Sequence, residues 1–168
     1  MTTIVDGTTG ITFPSAIAGV SATQQYSGRV LQCLQYREFT GGTLTSTSFV
    51  QLGSMTLSIT PTSSSSKILA IVSLPALYLQ FSTGPAHCYS TLYKNGANLG
   101  TGGISLVAGN TNAGNNWASA MFSLLDSPAT TSATTYAVYV RNTSGSVGGT
   151  VLGEGNSIAT LTLMEIAG

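Results

Sequence analysis

The chain has 168 residues, a length typical of one domain, and its hydrophobic content of 42% is enough to build a core. Only 6% of the residues are charged, with five Lys/Arg and five Asp/Glu, so the formal net charge is zero. The sequence therefore lacks the basic surface that binds nucleic acid, and its longest apolar run, residues 68–79, is too short to insert into a membrane and span it.

Residues 1–27 differ in pattern from the rest of the chain. Short apolar groups, which include Ile4, Val5, Ile11 and Phe13, are separated by glycine and proline, so this segment cannot bury much surface by itself. It has neither the basic nor the apolar region of a secretion signal. We interpret it as an extended N-terminal arm for docking or subunit exchange, with these four apolar residues as its docking contacts.

From residue 28 onward, apolar residues recur with a period of two, which is typical of strands. The first strand is predicted at residues 29–39 and the second around residues 55–59. A loop of proline and four serines follows. Residues 67–74 form a nearly continuous apolar run that predicts a central buried strand, with residues 78–81 as its continuation after Pro75.

The second half of the chain begins with a strand predicted at residues 87–93. Asn95 and Gly96 follow it and predict a two-residue hairpin turn, because both turn positions need positive φ. The same alternating pattern predicts further strands at residues 104–107, 117–125, 134–141 and 157–166. The Asn- and Gly-rich residues 109–116 and 142–156 are predicted as loops, the second of them flexible.

Eight to ten short strands with regularly spaced turns predict an all-β fold, an antiparallel β-sandwich of the jelly-roll type over residues 28–168. Several of these strands carry apolar residues on both faces, whereas the outer face of an isolated sandwich is normally polar. The surplus apolar face therefore predicts self-association with cyclic symmetry.

Residues for catalysis are sparse, and we predict that the protein is not an enzyme. His87 and Cys88 are adjacent, so in a strand their side chains point to opposite faces and cannot form a nucleophile–base pair. The five acidic residues form no motif that pairs two carboxylates, and no phosphate-binding, cofactor or metal motif is present. We expect Asp126 to accept backbone N–H bonds in a turn, and Glu165 to pair with an arginine such as Arg29 or Arg141.

The two cysteines, Cys33 and Cys88, lie in apolar, strand-like segments without CxxC spacing. We interpret both as reduced thiols of the core, and a disulfide between neighbouring strands stays open. Most of the tyrosines lie in alternating strands and are expected in the core or in subunit contacts. If some are exposed on one edge, they would stack on sugar rings, and the candidates for such glycan contact are Trp117 and Tyr139.

Two sets of sequence segments resemble a known protein family. The segment IVDGTTGITFP, residues 4–14, resembles a stretch that recurs in fibre and virion proteins of tailed bacteriophages. Four further segments are similar to the β-rich C-terminal module of phage fibre-like proteins. They are SSSSKILAIVSLPAL, STLYKNGANLG, LLDSPATTSATTYAVYVRNTSG and SIATLTLMEIAG. The resemblance covers nearly the whole chain and implies a virion protein, made in the cytoplasm of the host bacterium, with a trimeric jelly-roll module.

Tail fibres usually carry a long shaft and a docking domain before this module, whereas here the shaft-like segment begins at Met1. We therefore expect a capsid decoration, or cement, protein whose homotrimers bind the major capsid protein and stabilise the head. The alternative is a tail-fibre or fibre-tip protein that joins another fibre or tail protein and binds host surface glycan.

Overall fold

The structure is a computed structural model that describes residues 4–6, 10–12, 28–38, 43–81, 86–100, 107–111, 114–142, 147–152 and 157–168. These residues form thirteen strands and no helix. The strands build two antiparallel sheets that pack on each other, and a separate ribbon of β1 (Ile4–Asp6) and β2 (Gly10–Thr12). The predicted all-β sandwich is confirmed.

Sheet 1 is organised around one long strand. Its members are β3 (Val30–Glu38), β4 (Thr43–Leu44), β6 (Lys67–Phe81), β10 (Gly114–Asp126), β12 (Val147–Leu152) and β13 (Ala159–Ile166). Strand β10 pairs along one side of β6, while β13 and β12 pair with the first and second halves of its other side. Strands β3 and β4 extend the sheet beyond β13 and β12.

Sheet 2 contains β5 (Val50–Ile59), β7 (Ala86–Lys94), β8 (Ala97–Asn98), β9 (Val107–Thr111) and β11 (Thr134–Asn142). Strand β11 lies between β5 and β7. The other side of β7 pairs with β9 near its start and with β8 at its end.

Eight of the strands follow the order of a jelly roll. Their spatial order is β3–β13–β6–β10 in sheet 1 and β5–β11–β7–β9 in sheet 2. Along the chain, each step between these strands changes sheet except the step from β7 to β9, which is the connectivity of two Greek keys. The first and last of the eight are neighbours, and backbone bonds from Gly28 to Ala167 and from Ala167 to Arg29 extend their pairing.

The core lies between the two sheets, and strands β6, β11 and β13 contribute every second side chain to it. In β11, Tyr136, Val138 and Val140 are buried and belong to the core. In β6, the core residues are Ile68, Ala70, Val72 and Leu74, and in β13 they are Ala159, Leu161 and Leu163. This alternation is the physical origin of the period of two in the sequence.

Strand β6 continues through Pro75, as the apolar residues on both sides of it predicted. The register with β10 shifts between Ala118 and Ala120, and on the other side of β6 the pairing passes from β13 to β12 at this level. The missing N–H of Pro75 therefore removes no ladder hydrogen bond. The hydroxyl of Ser119 donates to the carbonyl oxygen of Pro75 at 2.6 Å.

The predicted hairpin turn is also confirmed. Lys94 pairs with Ala97, and the two residues between them have positive φ, 48° at Asn95 and 83° at Gly96. These are the angles that a two-residue turn needs if the flanking strands are to keep their twist.

Both predicted loops are wrong in part. Within 109–116, residues 109–111 belong to β9 and residues 114–116 begin β10. Within 142–156, residues 147–152 form β12, which pairs with β6 and β4. Glycine and asparagine suggested turns here, but a strand inside a sheet is held by its backbone ladder, and this ladder does not depend on an apolar side-chain pattern.

The predicted arm is described only at β1 and β2. Their pairing places Ile4 opposite Thr12 and Val5 opposite Ile11. Among the described strands, neither of the two pairs with sheet 1 or sheet 2. Phe13 lies outside the described residues, and the docking role of these four residues stays a prediction.

The part of the chain that the structure describes contains no helix that is long and apolar enough to cross a bilayer.

Candidate functional site

The carboxylate of Asp126 lies at the end of β10 and joins the two sheets. Lys94 of β7 donates from Nζ to both carboxylate oxygens at 2.9 Å, and the hydroxyl of Tyr136 in β11 donates to Oδ2 at 2.7 Å. The expectation that this carboxylate accepts backbone N–H groups of its own turn is therefore wrong. Its partners are side chains of the opposite sheet, and it acts as a structural acceptor.

Tyr136 is fully buried, and its hydroxyl is held as a neutral donor. Burial is the largest cause, and the hydrogen bond to Asp126 and the negative charge of that carboxylate act in the same direction, so the pKa of Tyr136 rises far above its ordinary value. A phenol that stays protonated at all physiological pH values cannot serve as a base, so this group supports the fold.

Glu165 is the other carboxylate that the structure describes in detail. Its Oε1 accepts bonds from the backbone N–H and the hydroxyl of Thr62, both at 2.7 Å, and its Oε2 accepts one from Gln32 at 2.7 Å. Burial by itself would raise the pKa of this group, but the hydrogen bonds outweigh it and lower the pKa from 4.5 to about 2. The predicted pairing with Arg141 is wrong, because Arg141 lies on the outer face of sheet 2.

These contacts tie the described carboxylates of Asp126 and Glu165 to structural partners. No group of three or more metal-ligating side chains occurs among the residues that the structure describes. Neither observation assigns a reaction to the protein, and the candidate surfaces that remain are the outer faces of the two sheets.

The cysteines occupy different environments. Both are reduced thiols, but only Cys88 is buried in the core, while Cys33 is exposed on β3. The interpretation of Cys33 as a core thiol is therefore wrong. The apolar residues on both sides of this strand did not reveal which face is covered, because that depends on where β13 and β5 lie.

The outer face of sheet 1 carries a row of four apolar side chains across four neighbouring strands. Leu125 of β10 pairs with Leu69 of β6, which pairs with Met164 of β13, which pairs with Cys33 of β3. At about 4.8 Å between strands, this apolar row is about 14 Å long. Its members are exposed or half-buried, and Leu125 is 53% exposed.

The rows beside the apolar row are mostly uncharged. One of them contains Ser123, Ile71, Thr162 and Gln35 in register. Met121, on the same face, is 71% exposed, the highest value among the large apolar side chains described. Lys67 stands in the row on the other side of the apolar row, paired with Ile166, and Arg37 stands two rows away towards the opposite end of the strands. The centre of this face is therefore apolar and free of charge among the side chains described.

The outer face of sheet 2 carries a second cluster, which we call the aromatic patch and which consists of Phe49, Tyr89, Tyr93, Tyr139 and Arg141. The rings of Tyr93 and Tyr139 stack with centroids 3.8 Å apart, and Phe49 meets Tyr93 edge-on at 6.3 Å. The guanidinium carbon of Arg141 lies 5.1 Å from the ring centre of Phe49 and 4.9 Å from that of Tyr89. All five side chains are half-buried.

The two predicted glycan-contact residues do not come together. Tyr139 lies in the aromatic patch of sheet 2, whereas Trp117 lies in β10 of sheet 1, opposite Tyr78. Sequence patterns did not indicate that Phe49 and Arg141 lie close to Tyr139. The sequence did contain the information that Tyr139 and Arg141 share a face, because they are two residues apart in one strand.

Comparison of the chain with known protein families finds no matching family model, and comparison with curated proteins finds no significant match.

Proposed function

We propose that this chain is a structural protein of a tailed bacteriophage virion, and that it decorates the capsid as a homotrimer and stabilises the head. The observation that carries the proposal is the outer face of sheet 1, whose centre carries the apolar row and no charge among the side chains described. The resemblance of the chain to phage virion proteins supports it, and so does the jelly-roll fold, which is common among viral capsid domains. Fold alone does not assign a function, so the argument depends on the surface.

The apolar row suits permanent contact with other copies of the chain. Full burial of an exposed leucine or methionine side chain contributes about 1.5–3 kcal/mol, and this face offers Leu125 and Met121 together with their half-buried neighbours. A charge-free centre lets identical copies meet without placing like charges opposite each other. Association through this face would bury its apolar side chains and thereby stabilise the assembly.

Residues 1–27 would attach the trimer to the coat. In this proposal Ile4, Val5, Ile11 and Phe13 contact the major capsid protein or a neighbouring subunit. Deleting residues 1–27 should leave the sandwich folded and trimeric but abolish its binding to virions that lack the protein. Retained binding by the truncated protein would refute the role of the arm.

The position and copy number of the chain in the virion test the decoration role. Cryo-electron microscopy of the virion should place the chain on the head, and quantitative mass spectrometry should find hundreds of copies for each particle. Location on the tail, or a handful of copies, would overturn the decoration role. The mass of the purified protein in solution should be that of three chains, and a stable monomer at micromolar concentration would overturn the trimer.

A second candidate is a tail-fibre or fibre-tip protein that binds host surface glycan, and the aromatic patch is the observation that favours it. Stacked tyrosines beside an arginine offer both an apolar platform and a polar group, the combination found in many ligand sites. Purified protein should then bind host cells and compete with phage adsorption. Protein that neither binds nor competes would exclude this role.

A further inference from the structure

Arg141 lies on the outer face of sheet 2, near the end of β11, the strand between β5 and β7. It pairs with Tyr89 of β7, and Val140, the residue before it, pairs with Val50 of β5, which places Phe49 beside it. The guanidinium group is thus held against two rings, at 5.1 and 4.9 Å from their centres. Contacts of this kind fix the orientation of an arginine and keep its charge.

The charge of Arg141 has no counter-ion among the described side chains. The carboxylate of Asp126 binds Lys94 and Tyr136, and that of Glu165 is enclosed in sheet 1. In addition, the Nε atom of Arg141 is buried without a hydrogen-bond partner among the described residues. A guanidinium group has five N–H donors, and charged donors left without acceptors are energetically costly. An oxygen-rich anion would supply acceptors for the two terminal amino groups, the part of the guanidinium group that a ligand can reach.

Tyr139 precedes Arg141 by two residues and shares its face, and its ring stacks on Tyr93 at 3.8 Å and an interplanar angle of 22°. Both rings are half-buried, and they lie on the same outer face as Arg141. The electron-rich face of a tyrosine ring attracts the partially positive C–H groups of a sugar. A ligand that suits both features carries a sugar ring and a negative group.

We propose that the aromatic patch is a binding site for an acidic saccharide, in which the carboxylate of a uronic-acid unit pairs with Arg141 and the sugar ring packs on the Tyr93–Tyr139 stack. A carboxylate is the anion that best matches the planar fork of a guanidinium group. The site goes beyond the decoration role and does not depend on it, since sheet 1 carries the proposed subunit contact and sheet 2 carries this patch.

The test is a titration of the full chain with an oligosaccharide of galacturonic acid, measured by calorimetry, beside the same oligosaccharide with its carboxyl groups methyl-esterified. The acidic form should bind, and esterification should weaken binding about 10- to 100-fold, the range expected for the loss of a charge-assisted bond. Arg141→Gln should cause a loss of the same size. Arg141→Lys should retain part of the affinity, because it keeps the charge but not the fork.

The matched control is Arg37→Gln, which removes the same charge from the outer face of sheet 1 and should leave binding unchanged. Thermal melting of each variant shows that it is folded. Equal binding of the acidic and esterified forms, wild-type affinity in a folded Arg141→Gln protein, or no binding at all would overturn the proposal. Competition by inorganic phosphate as strong as that by the oligosaccharide would overturn the assignment to a saccharide. None of these outcomes affects the location of the chain on the virion, which the decoration role predicts.

Discussion

Lys94 and Asp126 connect the two sheets of the sandwich at one end of the core. The Lys94 Nζ atom lies 2.9 Å from each carboxylate oxygen, and both side chains are mostly buried. The same carboxylate accepts the hydroxyl of Tyr136, a fully buried side chain of sheet 2. Asp126 of sheet 1 thus satisfies two donors of the opposite sheet.

Asp126→Ala should destabilise the fold by about 2–4 kcal/mol, because it leaves the buried Tyr136 hydroxyl and the Lys94 ammonium without their acceptor. Asp126→Asn should cost less, since an amide oxygen still accepts from Tyr136. Urea unfolding curves measure the difference. Equal stability of Asp126→Ala and the wild-type protein would show that the network contributes nothing.

Acid should destabilise the protein through Glu165. Its pKa is lowered from 4.5 in the unfolded chain to about 2 in the fold, so its contribution is complete above pH 4.5 and is lost as the pH falls towards 2. Glu165→Gln should remove this part of the pH dependence and cost about 1–3 kcal/mol at neutral pH, because Thr62 and Gln32 lose a charged acceptor. The stability difference between wild type and variant, measured from pH 7 to pH 2, should shrink with acid. A constant difference over that range would contradict the assignment.

Leu125→Asp should convert the proposed trimer into a folded monomer, because it places a charge in the apolar row without touching the core. Thr131→Asp is the matched control, since it adds the same charge at an exposed position outside the sheets and should leave the trimer intact. Light scattering gives the mass, and circular dichroism shows that the fold is kept. A trimeric Leu125→Asp protein would show that the copies meet elsewhere.

The two thiols should differ in reactivity in the monomeric Leu125→Asp chain. Cys33 is exposed and should react with N-ethylmaleimide within minutes, whereas Cys88 is buried and should react only after unfolding. In the proposed trimer of the wild-type chain, Cys33 should be protected as well, because it ends the apolar row. Peptide mapping after brief labelling distinguishes the two positions, and equally fast labelling of Cys33 in both proteins would argue against contact through this row.

Local sequence patterns predicted the strands in which buried and outward-facing side chains alternate. The alternation in β11 and β13 indicated both the strand and its buried face, and Asn95-Gly96 indicated the hairpin because positive φ restricts the choice of residue. The pattern in β5 was less complete. Leu52 and Met55 are both buried because a bulge near Gly53, with a φ of 52°, shifts the register between them.

Local sequence patterns did not predict a strand that is stabilised mainly by its backbone hydrogen bonds to neighbouring strands. Strand β12 has the sequence VGGTVL and was predicted as a loop, and it exists because β6 extends far enough beyond β13 to pair with it. The partners of Asp126 were missed for a related reason. Lys94 and Tyr136 are neighbours of this carboxylate only after the two sheets pack.

The amino-acid sequence by itself determined the class of the fold, the inward-facing residues of most strands and the scarcity of charge, because these properties depend on side chains a few residues apart. Only the tertiary structure decided which outer residues meet. One row on sheet 1 combines residues from four distant segments, because the register of three strand pairs aligns Leu125, Leu69, Met164 and Cys33. On sheet 2, the register of two strand pairs places Arg141 between Phe49 and Tyr89. Register is set by the packing of the whole sandwich, since a slip of one residue would turn each of these side chains to the other face.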